Sequence, residues 1–299
     1  MTIKVLVVDD IQANVKLLEA RLQAESFEVL TASNGLEALR ICADGTPDVV
    51  LMDIRMPYMD GLSACCHLKA DPATLHIPVV IVTALDQISD KFAGMEAGAD
   101  DFLVKPVDDI ALITRVRNLG RLKALSEEMS EYAKTNRNRF GVLQDTDLAA
   151  AMQCERGHIL IIERHPRGAQ RLAHVLAQSH VCEIEADPRQ VLLRLANEKF
   201  DLAIVNLDLA GADSLELCSQ MHTSQEYGRL PVIILVEPGN ETRLLRGLKI
   251  GAGDYLMHPI DRTDLLVRVR TQIKSKRYED FLRRRSAQGS VSQTCAIQS

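Results

Sequence analysis

The sequence predicts two doubly wound α/β domains in tandem, each with a five-stranded parallel sheet that is covered by helices on both faces. Two observations predict this fold class. Residues of the first half of the 299-residue chain recur in the second half at a constant distance of 153 positions. Short apolar runs also alternate with longer amphipathic segments, as in chains where buried parallel strands are separated by helices.

The internal repeat sets the number of domains. Glycine, proline and acidic residues recur at matched positions, as in the pairs Asp48 and Asp201, Pro78 and Pro231, Gly98-Ala99 and Gly251-Ala252, and Pro106 and Pro259. Near the start of each copy, Val5–Asp10 aligns with Ile159–Arg164 at a distance of 154, so one net residue of insertion separates the copies there. We therefore expect one domain at residues 1–125 and a second at residues 157–275.

In the first copy, five short apolar runs are the expected strands: Val5–Val8, Val29–Thr31, Val49–Met52, Val79–Val82 and Phe102–Val104. Asn14–Glu25 and Gly35–Cys42 show the three- and four-residue spacing of amphipathic helices. In doubly wound sheets, ligands bind outside the carboxyl ends of the strands, where the strand order reverses. The functional residues should therefore lie at these strand ends.

Polar residues stand at four of these ends: Asp9 and Asp10 after the first strand, Asp53 after the third, Thr83 after the fourth and Lys105 after the fifth. Three converging carboxylates repel one another unless a cation lies among them, and Mg²⁺ prefers such oxygen ligands. A carboxylate beside a metal, a hydroxyl and an ammonium group can accept a phosphoryl group, because the cations offset the charge on its oxygens. The residues predict a Mg²⁺ site around a central phosphoacceptor.

Four motifs carry a family resemblance: VLVVDD at residues 5–10, LMDIRMPYMDG at 51–61, VTA at 82–84 and LVKP at 103–106. In this order and spacing they resemble the signature of the CheY-like receiver domains of two-component response regulators. The resemblance covers about residues 1–125. It implies that Asp53 is phosphorylated by a sensor histidine kinase, with Mg²⁺ held by Asp9, Asp10, Asp53 and the backbone carbonyl of Arg55.

The resemblance also implies a conformational switch. Thr83 and Lys105 would contact the phosphoryl group, and Phe102 would be the aromatic residue that turns inward. These movements would change the surface formed by the fourth helix, the fifth strand and the fifth helix. Such a change is a shift of population between two packings, driven by a new charge.

The second copy keeps the apolar framework but not the polar strand ends. Glu163 and Arg164 stand at the acidic pair, Asn206 at the acceptor, Val236 at the hydroxyl and His258 at the lysine. An amide does not accept a phosphoryl group as a carboxylate does, Arg164 places a cation at a metal-ligand position, and valine has no hydroxyl group. We expect a degenerate receiver that serves as a non-phosphorylated adaptor.

Two alternatives stay open for the second copy. Asp208 lies two residues beyond Asn206 on the same face of the strand, so it could be a displaced acceptor. His258 could also be a phosphohistidine or a metal ligand. Both alternatives are weaker, because the hydroxyl and lysine partners are missing.

The segments that follow each copy are predicted to be long helices. Asp109–Phe140 contains one glycine and no proline, and its apolar stripe could form an intrachain seam, a dimer contact or a solvated spacer. We expect residues 126–156 to be an extended helix and a linker, the latter at 141–157. A second long helix is expected at about Asp264–Arg285, and the uncharged tail Ser286–Ser299 is expected to be disordered.

This arrangement is similar to the PleD-type response regulators, in which two receivers precede a GGDEF diguanylate cyclase, but no GG[DE]EF motif occurs in this sequence. One hypothesis is a non-enzymatic response regulator that is a homodimer through its receiver surfaces and acts on a partner, for example a full-length diguanylate cyclase relative. The alternative is the regulatory half of a diguanylate cyclase, which makes cyclic di-GMP from GTP, without its catalytic domain.

Composition narrows the possible partners and the compartment. The net charge of −6 argues against a nucleic-acid-binding function, because phosphate backbones favour a basic face. No apolar run reaches the roughly 18 residues that a membrane span requires. The amino terminus runs into acidic residues without an export signal. We expect a cytoplasmic protein.

Overall fold

The structure is a computed structural model that describes residues 2–84, 88–140, 156–208 and 214–296. The chain divides into two units, Met1–Glu127 and Glu128–Ser299. In each unit the described residues form one five-stranded sheet in which every strand pair is parallel. The predicted fold class, two tandem doubly wound domains, is confirmed. The predicted boundaries at residues 125, 156 and 275 remain predictions.

The strands of the first unit are β1 Lys4–Val8, β2 Glu28–Ala32, β3 Val49–Asp53, β4 Val79–Ala84 and β5 Asp101–Lys105. Its helices are α1 Gln12–Ala24, α2 Gly35–Ala43, α3 Gly61–Ala70, α4 Ile88–Glu96 and the first part of α5 Asp109–Phe140. The sheet order is β2-β1-β3-β4-β5. The order reverses between β1 and β3, which is where such sheets bind their ligands.

Burial explains why the apolar runs form strands. Val5, Leu6, Val7 and Val8 of β1 are each at most 1% exposed, so both faces of this central strand are covered. One face packs in a core with residues of β3, β4, α2 and α3, among them Val50, Ile81, Ala38 and Leu68. Burial of both faces requires helices on both sides of the sheet.

The second unit repeats this arrangement. Its strands are β6 His158–Ile162, β7 Val181–Glu185, β8 Leu202–Asn206, β9 Val232–Val236 and β10 Asp254–Met257. Its helices are α6 Pro166–Leu176, α7 Pro188–Asn197, α8 Ser214–Thr223, α9 Glu241–Ile250 and α10 Arg262–Ala296. The sheet order is β7-β6-β8-β9-β10, the same connectivity as in the first unit.

The glycines of the two Gly-Ala pairs are explained by their backbone conformation. Gly98 has φ +89° and Gly251 has φ +122°, a region that only glycine adopts without a steric cost. Each glycine ends the helix that precedes the last strand of its sheet. The repeat therefore preserves the turn that leads into β5 and β10.

The helix α5 continues beyond the first unit. Met129 is 2% exposed, and the ring of Tyr132 packs edge-on against that of Phe281 of α10, with centroids 5.7 Å apart and planes at 82°. These contacts lie within the unit Glu128–Ser299. Of the three uses considered for the apolar stripe of α5, they favour the intrachain seam.

Matching ion pairs fix both long helices at the amino-terminal edges of the sheets. Lys123 Nζ of α5 lies 2.9 Å from Asp48 Oδ1 and 2.9 Å from Glu127 Oε1. In the second unit, Arg277 Nη2 of α10 lies 3.8 Å from Oδ2 of Asp201, the residue just before β8. Because Lys123 is only 4% exposed, its pairing determines how α5 leaves the first sheet.

The carboxyl-terminal segment differs from its prediction. The structure continues α10 to Ala296, whereas a disordered tail was expected from Ser286. Residues 286–296 contain no proline, and extending an existing helix costs far less than starting a new one. Most of the predicted linker, residues 141–155, lies outside the described residues. Among the described helices, none is both long enough and apolar enough to cross a membrane.

Candidate functional site

The first unit gathers the predicted polar residues at the carboxyl edge of its sheet. Val8 of β1 pairs with Met52 of β3, which places Asp9 beside Asp53. Across the sheet, Ala84 of β4 pairs with Lys105 of β5. Asp9 is buried, Asp53 is partly buried and Asp10 is exposed. The three carboxylates thus lie at the edge where the strand order reverses.

Lys105 joins two of these carboxylates. Its Nζ atom lies 2.8 Å from Asp9 Oδ2 and 2.5 Å from Asp53 Oδ1. Burial raises the pKa of Asp53; Lys105 partly offsets this effect, and repulsion from Asp9 adds to it. Burial acts to lower the pKa of Lys105, but its hydrogen bonds to Asp53 and Asp9 raise it overall. The site therefore holds a lysine ammonium group between two carboxylates.

Asp9 is held by further donors. Its Oδ1 accepts hydrogen bonds from the Ile11 N–H group at 2.9 Å and from Asn14 Nδ2 at 3.1 Å, and the same amide lies 3.0 Å from Oδ2. Sequence reasoning missed Asn14. The available signal was weak: a polar residue in the first turn of the helix that follows the acidic pair is usually a solvated side chain.

The backbone of Gly61 lies very close to the backbone of the expected acceptor, Asp53. A Cβ atom on Gly61 would lie 2.0 Å from the carbonyl oxygen of Asp53, so only glycine fits there. Gly61 donates its N–H to the Ile54 carbonyl at 2.9 Å, while Asp60 caps α3 by accepting from Ser63 N–H at 2.7 Å. The sequence motif contained Gly61, but its role in seating Asp53 follows only from the structure.

Of the predicted switch residues, Thr83 lies on β4, the strand next to that of Asp53, and Phe102 lies on β5, one strand further along the sheet. Thr83 is 2% exposed and its hydroxyl donates to the Ala84 carbonyl at 3.4 Å. Phe102 is 4% exposed, and Lys91 Nζ lies 4.4 Å from the centroid of its ring. In this structure the aromatic ring therefore points inward.

The residues present fit a divalent cation. Asp9, Asp10 and Asp53 offer the hard oxygen ligands that Mg²⁺ prefers. The lysine between Asp9 and Asp53 shows that these two carboxylates require a positive charge. The backbone of Arg55 lies next to the acceptor, because the Arg55 N–H donates to Asp53 Oδ2 at 2.9 Å.

The same edge of the second unit is built differently. Asn206 Nδ2 donates directly to Glu163 Oε2 at 2.6 Å, and His165 N–H donates to Glu163 Oε1 at 2.8 Å. Glu163 is 3% and Asn206 is 5% exposed. In the second unit, Glu163 and Asn206 thus contact each other directly. In the first unit, Asp9 and Asp53 are held together through Lys105.

The remaining polar groups of this second site are only partly paired. Asp208 Oδ1 accepts from Arg243 Nη1 at 3.2 Å and from Asn240 Nδ2 at 3.3 Å. Val236 is buried, and His258 Nε2 lies 3.9 Å from Glu237 Oε1. Asp208 Oδ2 has no hydrogen-bond partner among the described residues, so Asp208 as a displaced acceptor stays an alternative. The exposed Arg164 adds a cation at the second acidic position.

A separate group of possible metal ligands lies on β6, β7 and α7. His158, Glu183 and Glu198 bring their ligand atoms within 4.8 Å of one another. Arg194 contacts both carboxylates, and His158 Nε2 lies 2.6 Å from Glu183 Oε1. This group is an ion-pair network in which Arg194 already offsets part of the negative charge of the two carboxylates.

Comparison with known proteins places both halves in one family. The profile of the response regulator receiver domain matches residues 5–117 and 159–270. Response regulator PleD of Caulobacter vibrioides (strain NA1000 / CB15N) is 44% identical over 283 residues, which cover 95% of this chain and 62% of that protein. The chain therefore spans less than two thirds of this curated relative.

Two further similarities concern single receivers. The transcriptional regulatory protein PrrA of Mycobacterium tuberculosis (strain ATCC 25618 / H37Rv) is 43% identical over 118 residues, which cover 40% of this chain and 50% of that protein. The structure of the Francisella response regulator 1452 receiver domain is 33% identical, with a TM-score of 0.38, and covers 40% of this chain and 98% of that chain. With its two matched domains, this chain belongs to the response regulator receiver family.

Proposed function

We propose that the first receiver accepts a phosphoryl group on Asp53 from a sensor histidine kinase, in a Mg²⁺-dependent step in the cytosol. The observation that carries this proposal is the position of Asp53: its Oδ1 lies 2.5 Å from Lys105, which also contacts Asp9. The family membership of residues 5–117 supports the same reaction class.

The transfer is a substitution at phosphorus. An Asp53 carboxylate oxygen attacks, the new P–O bond forms, the P–N bond to the kinase histidine breaks, and that imidazole leaves with the bonding electron pair and takes up a proton from solvent. Mg²⁺, held by Asp9, Asp10, Asp53 and the Arg55 carbonyl, would offset the charge on the phosphoryl oxygens. Asp53 must be ionised to attack; burial raises its pKa, and Lys105 reduces this rise by favouring the charged form.

Lys105 and Thr83 would move in response to the negative charge of the phosphoryl group on Asp53. Lys105 already contacts the acceptor oxygen, so its ammonium group needs only a small movement to follow the charge onto a phosphoryl oxygen. Thr83 lies on the neighbouring strand end and can turn its hydroxyl from Ala84 toward the phosphoryl group. These movements would change the α4–β5–α5 surface and favour a homodimer, with the ring of Phe102 kept in the inward position that it already has.

In this proposal the second receiver is the non-phosphorylated adaptor, and the chain catalyses no reaction other than its own phosphorylation. Its pairing of Glu163 with Asn206 needs no added cation, which suits a domain that is kept for its surface. A partner of the dimer would be a full-length diguanylate cyclase relative, in keeping with the 44% identity to PleD.

A second candidate function rests on the same relative. Because the chain covers 62% of PleD, it could be the regulatory half of a diguanylate cyclase whose catalytic domain is absent from this sequence. Reading the DNA downstream of Ser299 for a frame that encodes GG[DE]EF tests this candidate, and the purified chain itself can be assayed for cyclic di-GMP production from GTP. We expect no product, since no GG[DE]EF motif is present.

The main experiment is transfer of labelled phosphoryl from a phosphorylated sensor kinase to the full chain. Wild type should be labelled in the presence of Mg²⁺ and not in EDTA. Asp53→Asn should remain unlabelled, whereas label on this variant would move the acceptor to another residue such as Asp208. Beryllofluoride with Mg²⁺ should shift the wild type toward a dimer on size-exclusion chromatography, and an unchanged elution volume would contradict phosphorylation-driven dimerisation.

A further inference from the structure

Asp9 is the deepest carboxylate of the first site, and the orientation of its carboxylate is set by three groups. It is 3% exposed. Oδ1 accepts from Ile11 N–H and Asn14 Nδ2, while Oδ2 accepts from Asn14 Nδ2 and Lys105 Nζ. The torsion that turns an aspartate carboxylate is intrinsically broad, so this network determines which lone pair faces the acceptor.

The three donors differ in what they can do during phosphorylation. The Ile11 N–H group is part of the backbone and contacts Oδ1 alone. Lys105 is shared with Asp53, so its contact with Asp9 depends on what Asp53 carries. Asn14 is the side-chain donor that spans both oxygens, and it can stay on Asp9 when Lys105 moves to the phosphoryl group.

The chemistry of the amide suits this task. A lysine or arginine at residue 14 would bring a second cation to Asp9 and compete with a metal ion for the same oxygen. An asparagine side chain donates a hydrogen bond without adding charge. It can therefore orient Asp9 while leaving the negative charge of that carboxylate available to a cation.

The second receiver provides an internal comparison. The residue that matches Asn14 is Gly168, which has no side-chain donor, and a Cβ atom built on it would lie 3.6 Å from Glu163 Oε2. Glu163 instead accepts from Asn206. The amide on the first helix is thus present in the receiver expected to bind a metal and absent from the receiver expected to bind none.

We infer that Asn14 is a positioning residue that fixes the Asp9 carboxylate for Mg²⁺ binding. The inference rests on the proposed function, because it concerns the cation that accompanies phosphorylation of Asp53. Residues that orient a metal ligand through a hydrogen bond typically change metal affinity by about 10- to 100-fold when they are removed. Asn14 acts through Asp9, so the loss should appear in the Mg²⁺ affinity.

The test is a Mg²⁺ titration of the full chain by isothermal calorimetry, with wild type, Asn14→Leu and Asn14→Ala. Each protein is also phosphorylated by acetyl phosphate over a range of Mg²⁺ concentrations. We expect the Mg²⁺ dissociation constant of both variants to rise about tenfold or more. The phosphorylation rate at saturating Mg²⁺ should stay close to that of wild type, since only binding of the ion is weakened.

Gly168→Asn is the matched control, because it places the same side chain at the corresponding position of the second receiver. It should leave the Mg²⁺ dissociation constant unchanged. Thermal unfolding in EDTA identifies a variant that is merely unstable, and Asn14→Ala then replaces Asn14→Leu as the informative variant. An unchanged dissociation constant, or a rate that stays low at saturating Mg²⁺, overturns the positioning role. Failure of the wild type itself to bind Mg²⁺ overturns the proposed function and this inference with it.

Discussion

The two receivers have the same sheet order but balance charge in opposite ways at the edge where that order reverses. In the first, Asp9 and Asp53 are held together by the Lys105 ammonium group. In the second, Glu163 bonds directly to the amide of Asn206. The first site needs a positive charge from elsewhere to be stable, whereas the second is complete without one. This difference separates a site that can respond to a new charge from one that is fixed.

Removing the lysine should have the largest effect. Lys105→Ala leaves Asp9 and Asp53 without their shared cation, and we expect the phosphorylation rate to fall about 100-fold or more. The initial rate of label transfer measures this loss. His258→Ala is the matched control in the second receiver and should keep the wild-type rate. An equal fall of the phosphorylation rate in Lys105→Ala and His258→Ala would contradict the proposal that only the first site takes part in phosphorylation.

Giving the second receiver a carboxylate should destabilise it. In Asn206→Asp, two buried carboxylates share a site with no lysine between them, so one of them takes a raised pKa. A carboxyl group whose pKa is raised by folding stabilises the folded state at low pH. This stability is lost as the pH rises through the pKa that the group has in the folded state. We expect a loss of about 3 kcal/mol at pH 8 and a smaller loss at pH 5.

Calorimetric unfolding at both pH values measures this effect. Asn197→Asp, the same change at an exposed helix end, is the control and should have little effect. The variant should also remain unlabelled by the kinase when Asp53 is replaced, because His258 and Val236 stand at the lysine and hydroxyl positions. A stable, labelled Asn206→Asp variant would show that the second site lacks only its acceptor.

Making the first receiver resemble the second should stabilise it. The pKa of Asp53 is raised, chiefly by burial, so the native state is favoured below the unfolded-state pKa and loses stability as pH rises through the folded-state pKa. Asp53→Asn removes this cost, and we expect the melting temperature without Mg²⁺ to rise by a few degrees, about 4 °C, at pH 7.5. The gain should shrink at pH 4. Asp10→Asn, at an exposed position, is the control and should leave the melting temperature close to that of the wild type.

The smallest effect should come from Asp208. Its contacts with Arg243 and Asn240 are partly exposed, and such pairs contribute about 0.5 kcal/mol. Asp208→Ala should therefore speed hydrogen exchange in the loop before α9 while phosphorylation of Asp53 stays at the wild-type level. Loss of phosphorylation in this variant would assign Asp208 a chemical role that its contacts do not indicate.

The strands and their polar ends could be predicted from the sequence because both are local features. A run such as Val5–Val8 has to be buried on both faces, and the carboxyl ends of parallel strands meet at one edge of the sheet. Asp9, Asp53 and Lys105 therefore come together as expected. Because matched residues recur 153 positions later, the same strand arrangement could be predicted for the second half of the chain.

Partners across the fold were harder to predict. Periodicity shows that Asn14 lies on α1 but not that its amide faces Asp9, and the length of Glu163 does not reveal that it reaches Asn206. The tail was expected to be disordered from its polar composition, yet α10 continues to Ala296. Composition describes how much surface a segment can bury, while helix propagation depends on the helix already formed before it.

The path of α5 has a consequence for how the duplicated gene could evolve. The helix α5 also supplies Met129 and Tyr132 to the unit Glu128–Ser299, where the ring of Tyr132 packs against that of Phe281. The copies are thus joined through a shared structural element, and a recombination event between them would cut a helix and expose an apolar face. The pair should therefore be inherited as one module, although Asn206 stands in the second copy where Asp53 stands in the first.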